Sequence, residues 1–204
     1  EKIVNQLINI LKTDDEEKHK QAIFIIRSVA KQDPKRVLRA FKQLLNAEIT
    51  ESGKKRVLRT LKEVARSKSE ITNELVFSLF ETVRFDKKVI LTLFDVISTN
   101  ITQFTSNEKA LKQLEDILIQ YLNAKDPKLV AKALDIYATI AQYKPDRLDE
   151  FEQRYLNLPK IHDKRNVLLR SKIGTLTKII IAYPERYWDF FEHLKNSDER
   201  LSSV

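Results

Sequence analysis

Apolar residues recur along the whole chain at intervals of three and four positions, which is the spacing of one buried face of an α-helix. The segment Val37-Leu38-x-x-Phe41-x-x-Leu44-Leu45 is typical. Short polar or proline-containing stretches end each such segment. Two glycines and five prolines in 204 residues favour helices joined by short turns over sheets built on Gly-rich hairpins. The pattern predicts an all-α chain of eleven helices, arranged as five pairs and a C-terminal helix.

A proline followed two residues later by an arginine recurs at the start of three helical segments. The three copies are Pro34-Lys35-Arg36, Pro145-Asp146-Arg147 and Pro184-Glu185-Arg186. The first two copies lie in a longer ungapped match of apolar positions, offset by 111 residues or three units of 37. Recurrence at this period is typical of a stacked repeat array, in which no unit buries its apolar face alone.

The helix pairs divide the sequence into repeats of similar length. We predict a single repeat domain over residues 1–195, followed by a flexible tail at 196–204. Within this domain we expect five repeats and a final helix, with approximate bounds 1–32, 34–67, 69–104, 106–143, 145–183 and 184–195.

The second helix of the fourth repeat carries the most specific motif. Asp126-Pro127 is followed by Val130 and then by Lys132-Ala133-Leu134, and this order resembles the second helix of a HEAT repeat. The resemblance implies a right-handed α-solenoid whose second helices line a concave surface. It also implies a surface that binds a partner, and no particular activity.

The positive charge of the chain is concentrated in its first third. The net charge is +8, and residues 1–68 contain 17 Lys and Arg against 9 Asp and Glu. Residues 69–204 contain 20 of each and are neutral overall. Such asymmetry indicates an anionic partner for the basic part.

Two stripes of cations carry much of this charge on the second helices of the first two repeats. Spacing of three and four residues places each set on one helix face. The stripe of the second repeat consists of Lys55, Arg59, Lys62 and Arg66. The matching positions of the first repeat are Lys20, Phe24, Arg27 and Lys31.

If the HEAT resemblance holds, both stripes face the concave surface, and these eight residues form the predicted partner-binding site. Phe24 is expected to be half-buried. At the matching positions of later repeats, Asp95 and Asp135 are expected to stand away from the cations, so that the surface changes from positive to neutral or acidic. Solvated helix faces with no ligand explain single stripes equally well.

Three functions stay open on these observations. A non-enzymatic scaffold or adaptor that binds a protein comes first, because most HEAT-type arrays assemble other proteins. The alternative is DNA or RNA binding through the two stripes, since phosphates need dispersed cations more than a motif; contact with a membrane surface also stays open. A glycosylase of alkylated bases, which is similar in architecture, comes third.

Motifs for catalysis, cofactors and metals are missing from the sequence. Two isolated glycines exclude a phosphate-binding loop, and there is no cysteine and no histidine pair with the spacing of zinc ligands. We therefore predict no enzyme, no cofactor and no bound metal. No apolar run reaches the roughly 20 residues of a transmembrane helix, and the expected location is inside the cell, in the cytoplasm or nucleus.

Overall fold

A computed structural model gives the fold. It describes residues 6–7, 9–10, 13, 15–33, 36–37, 39–40, 56–57, 59–60, 62, 69–82, 86–161, 163 and 165–186. All regular structure in these ranges is helical, which confirms the all-α prediction. None of the helices in this part of the chain has the length and apolarity to cross a membrane.

Eight α-helices and two short 3₁₀ turns are defined along the described residues. The α-helices are α1 Glu16–Gln32, α2 Ser69–Thr82, α3 Lys87–Thr99, α4 Ile101–Thr105, α5 Glu108–Leu122, α6 Pro127–Tyr143, α7 Leu148–Leu156 and α8 Val167–Ala182. The 3₁₀ turns are Pro145–Arg147 and Pro184–Arg186. In terms of the predicted repeats, α1, α3, α6 and α8 are second helices, and α2, α5 and α7 are first helices.

Side-chain caps fix the starts of four helices. Asp15, Asp86, Asn107 and Asp126 each accept a hydrogen bond from a backbone amide of the following first turn, at 2.9–3.1 Å. Such caps satisfy amides that have no partner inside the helix. The sequence pattern predicts helix starts at Asp86, at Ser106 or Asn107, and at Asp126-Pro127. The first and third starts are confirmed, and Asn107 is the cap at the second.

The sequence pattern also predicts one helix that follows Asp163 and one that begins at Pro145, and both starts differ in the structure. The helix expected directly after Asp163 begins at Val167, because Asn166 adopts a left-handed conformation with φ of 52°, which asparagine tolerates better than most residues. The helix expected from Pro145 opens with a 3₁₀ turn and becomes α-helical at Leu148. The predicted final helix has its 3₁₀ turn at Pro184–Arg186, and the remainder of residues 184–204 lies outside the described part.

The carboxylate of Asp163 organises the turn before α8. It accepts the amides of Leu168 at 2.8 Å and Arg165 at 3.1 Å. The hydrogen bond from Leu168 is the main reason that the pKa of Asp163 is lowered. A lowered pKa stabilises the fold above the unfolded value, near pH 4, and this contribution is lost as pH falls through the folded value.

We therefore expect Asp163→Asn to unfold at a lower temperature than the wild type at pH 7, because the amide is a weaker acceptor. The difference should shrink as the pH falls from about 4 through the lowered pKa of the folded carboxyl. Thermal unfolding followed by circular dichroism at pH 7 and pH 3 checks this. Asp116→Asn, at an exposed position of α5, is the matched control, and an equal pH-dependent change in both variants would contradict the prediction.

The chain divides into two compact units, Glu1–Phe104 and Thr105–Val204. In the first unit, aromatic rings of α2 pack against α3 and α4, with Phe80–Phe94 and Phe77–Phe104 centroids both 5.6 Å apart. The short helix α4 is not predicted by the sequence pattern, and it brings the fully buried Phe104 into this core. The predicted single domain over 1–195 stays a prediction.

In the second unit, α6 is the central helix. It contacts α5, α7 and α8, and its apolar residues are buried on several sides, including Val130, Leu134, Tyr137 and Ile140. A helix that is apolar nearly all round must be covered on most of its surface. The neighbouring helices of this unit are therefore organised around α6.

Candidate partner-binding surface

The structure describes the side chains of five of the eight predicted site residues, namely Lys20, Phe24, Arg27, Arg59 and Lys62. The backbone of Lys31 is helical, but its side chain lies outside the described part. Lys55 and Arg66 lie outside the described residues altogether.

On α1, Phe24 is the central residue of the cationic face. Its side chain is 70% exposed, so the expectation that it is half-buried is wrong. The buried stripe of α1 runs through Ala22, Ile26 and Ala30. Residues two positions apart on a helix point about 200° away from each other, so Phe24 points away from Ile26 and into solvent.

The cations that flank Phe24 are in different environments. Lys20 is exposed and forms a 3.2 Å ion pair with the equally exposed Glu17. Exposed pairs of this kind contribute little to stability, so Lys20 can change partner at small cost. Arg27 is only partly exposed. The face of α1 therefore combines a large exposed ring with one accessible and one partly covered cation.

The cationic residues of the second repeat lie in the same unit as α1. The guanidinium of Arg56 donates a hydrogen bond to the carbonyl of Thr13, two residues before the cap of α1. This contact brings Arg56 next to the residues that precede α1. Arg59 is exposed and forms no ion pair with a described residue.

Lys62 is paired with an acidic residue of the next second helix. Its Nζ lies 2.6 Å from Oδ2 of Asp95 on α3, and both side chains are partly covered. Asp135 on α6 is likewise paired with Lys178 on α8, which also contacts the hydroxyl of Thr139. The expectation that Asp95 stands away from the cationic stripes is therefore wrong. Asp135 pairs with Lys178, which belongs to neither stripe, so the expectation for Asp135 stays a prediction.

These two ion pairs change the predicted charge distribution. Each carboxylate is opposed by a lysine that comes from the second helix of an adjacent repeat, 33 or 43 residues away. Lys62 is therefore engaged by Asp95, and each of the two carboxylates is opposed by a cation within its own unit.

The second helices α6 and α8 are also joined by hydrogen bonds along their length. Ser171 donates to the carbonyl of Ala131 at 2.9 Å, and Gln142 donates to the carbonyl of Lys178 at 3.0 Å. At the end of α6, the hydroxyl of Tyr183 donates to the carbonyl of Ala141 at 2.9 Å. Successive second helices of this unit therefore lie side by side.

First helices are linked through the arginines of the recurring Pro-x-Arg motif. Arg147 contacts Glu108 and lies 2.9 Å from Glu115, both on α5, and Arg186 contacts Asp149 on α7. Each of these arginines thus reaches the first helix of the preceding predicted repeat. Arg36 differs, because it pairs locally with Asp33 at 3.5 Å.

The comparison with known proteins assigns no family. No protein-family profile, curated protein or solved structure matches the chain. Function is therefore inferred from the contacts, burial and charge of the residues themselves.

Glu115 has the most unusual electrostatic environment among the described carboxylates. Burial raises its pKa, although the guanidinium of Arg147 favours the ionised form. The described residues contain no group of His, Asp and Glu side chains that could hold a metal ion. The Glu115–Arg147 pair joins α5 to the 3₁₀ turn before α7. We therefore interpret it as a contact that stabilises the fold and not as a ligand-binding site.

Proposed function

We propose that the chain is a HEAT-like α-solenoid that acts as a non-enzymatic scaffold or adaptor and binds a protein partner through its concave face, at the second helices of its basic N-terminal half. Side-by-side contacts between successive second helices support this arrangement. They include Lys62–Asp95 in the first unit and both Ser171–Ala131 and Lys178–Asp135 in the second. Stacked helix pairs with nearest-neighbour contacts are the defining property of such arrays. The proposal places the chain inside the cell, in the cytoplasm or nucleus.

The exposed ring of Phe24 is the observation that favours a protein as the partner. Interfaces between proteins depend on a few residues, among which aromatic side chains and arginine are enriched. Phe24 shares one face of α1 with Lys20 and Arg27, so an aromatic anchor lies between cations. This combination fits an acidic protein segment that presents an apolar side chain to Phe24.

The test compares capture of partners from source lysate by the wild-type chain and by two variants. We expect Phe24→Ala and Arg59→Glu each to lose the captured protein, at least tenfold by quantitative mass spectrometry, because anchor residues contribute about 1–2 kcal/mol or more. Thermal stability should stay unchanged, since both side chains are exposed. Lys62→Glu is a poorer probe because it would set a carboxylate against Asp95.

Matched controls come from the second unit. Tyr143→Ala removes an aromatic ring that is also exposed, and Lys109→Glu reverses an exposed charge on α5. Both should retain the captured protein. Equal capture by Phe24→Ala and the wild type would exclude the proposed surface.

Nucleic-acid binding remains the second candidate, because the whole excess of positive charge lies in residues 1–68. Phosphate contacts predict an affinity for duplex DNA that falls steeply with salt, with a log–log slope of about −0.9 per neutralised phosphate. Capture that disappears after nuclease treatment, together with such a slope for a duplex of random sequence, would favour this candidate over a protein partner.

A further inference from the structure

One face of α8 is exposed along its whole length although it is largely apolar. The face consists of Arg170, Ile173, Gly174, Thr177 and Ile181. Ile173 is 51% exposed and Ile181 is 75% exposed. Spacing of three and four residues places all five on one stripe, which we call the α8 stripe. Two large apolar side chains exposed on one helix face make this face a candidate interaction surface.

The corresponding face of α6 is buried. The two helices can be aligned by placing Pro184 on Pro145, which is a shift of 39 residues. This alignment pairs the buried Leu129 of α6 with the buried Leu168 of α8. It also pairs the buried Ile140 with the buried Ile179. With this shift, Ile173 corresponds to Leu134 and Thr177 to Ala138, and both α6 residues are fully buried. The α8 stripe thus has the character of a helix face that another helix covers.

Gly174 supports close approach of a helix to the stripe. It lies in the interior of α8 without positive φ, and a Cβ atom added there would have no neighbour within 4 Å. Glycine destabilises a helix interior relative to alanine. The described residues give no packing reason for glycine at this position, whereas a helix backbone approaching from outside does.

Side chains of opposite charge lie near the start of α8 and in the turn that follows its end. Arg170 lies near the start of α8, and Glu185 lies just beyond its end. Both are exposed, and neither forms an ion pair with a described residue. Between them the stripe carries no charge. A second α8 in antiparallel orientation would therefore bring each Arg170 within about one helical turn of the other copy's Glu185.

We propose that the α8 stripe is a two-fold self-association surface, on which α8 of one copy packs antiparallel against α8 of a second copy. A two-fold interface uses the same patch on both copies, so the patch must complement itself. The α8 stripe can complement itself because its isoleucines and Gly174 can pack against those of a second copy. In the antiparallel orientation, Arg170 of each copy also approaches Glu185 of the other. One helix from each copy is a small contact, so the dimer is weak and depends on concentration.

Sedimentation equilibrium of the full chain tests the proposal. For a monomer of 23.9 kDa, we expect the average mass to rise toward twice that value between about 5 and 500 µM, a range suited to small interfaces. Ile181→Asp should weaken the association at least tenfold, because it buries a charge in the apolar centre. Ile25→Asp, at another exposed isoleucine on α1, should leave it unchanged.

Charge reversal tests the antiparallel arrangement. Arg170→Glu and Glu185→Arg should each weaken the dimer about threefold to tenfold, and the double variant should recover it, because the pair is restored with its signs exchanged. A parallel dimer would bring like charges together and would show no recovery.

Gly174→Ala tests two expected effects of the glycine, namely that it destabilises α8 and that it allows a second helix to approach closely. At low concentration the monomer should unfold at a temperature about 2–4 °C higher, and the dimer should at the same time become weaker. A wild-type chain that stays monomeric throughout, or an Ile181→Asp variant that dimerises equally well, would overturn the proposal. Either result would mean that the stripe is solvated or covered by other residues of the chain.

Discussion

Phe151→Ala is expected to lower the free energy of unfolding by about 3–5 kcal/mol, the usual cost of deleting a fully buried aromatic ring. Phe151 on α7 has no exposed surface. Its ring centroid lies 6.1 Å from that of Tyr137 on α6 and 5.9 Å from that of Tyr155. Its removal therefore leaves a cavity between α6 and α7 and also breaks two aromatic contacts.

Urea unfolding followed by circular dichroism measures this loss. Phe24→Ala is the matched control, because it deletes the same side chain from an exposed position and should change the free energy by less than about 0.5 kcal/mol. A loss below about 1 kcal/mol for Phe151→Ala would contradict the packing described for α6 and α7.

Arg147→Met is expected to lower the free energy of unfolding by about 2–4 kcal/mol. Removing one member of a buried ion pair costs about 3–5 kcal/mol because the other charge is left without a partner. The value is lower here because the Arg147 side chain retains 25% exposure, whereas Glu115 retains 11%. Methionine keeps the apolar stem of the side chain, so the loss reports on the charge and its hydrogen bonds.

The dependence on pH identifies Glu115 as the source of this loss. Without the guanidinium, the pKa of Glu115 rises further above its unfolded value, and the folded variant binds a proton more readily. The deficit relative to wild type should therefore be larger at pH 8 and smaller at pH 5.

Arg154→Met is the control for this variant. Arg154 and Glu150 form an exposed pair at 3.4 Å, and such pairs contribute only about 0.3–0.5 kcal/mol. A deficit for Arg147→Met that is as small as this, or that does not change with pH, would show that Glu115 tolerates burial without its partner.

Much of the helical structure could be predicted from local sequence. Asp86, Asn107 and Asp126 are good caps followed by helical spacing, and the hydrogen bonds that define these starts lie within three residues. Helix α4 was missed because five residues are too few to show a period. The start of α8 was misplaced because the conformation of Asn166 depends on the turn around Asp163.

The candidate surface was less predictable, because its contacts join distant parts of the chain. The exposure of Phe24 could have been inferred from its position two residues before Ile26, which belongs to the buried stripe. The pairing of Lys62 with Asp95 could not, since it depends on the lateral spacing of two helices that are 33 residues apart in sequence. Residue types along one helix do not specify which neighbouring helix a long side chain reaches.

The contacts of Arg147 restrict how the sequence can change during evolution. A carboxylate at position 115 is tolerated in its buried place because a guanidinium from the turn before α7 meets it. Loss of either group alone is unfavourable, whereas joint replacement by apolar residues of similar volume is nearly neutral. Positions 115 and 147 should therefore covary among homologues, which would make this junction recognisable in sequences too divergent to align by their apolar residues.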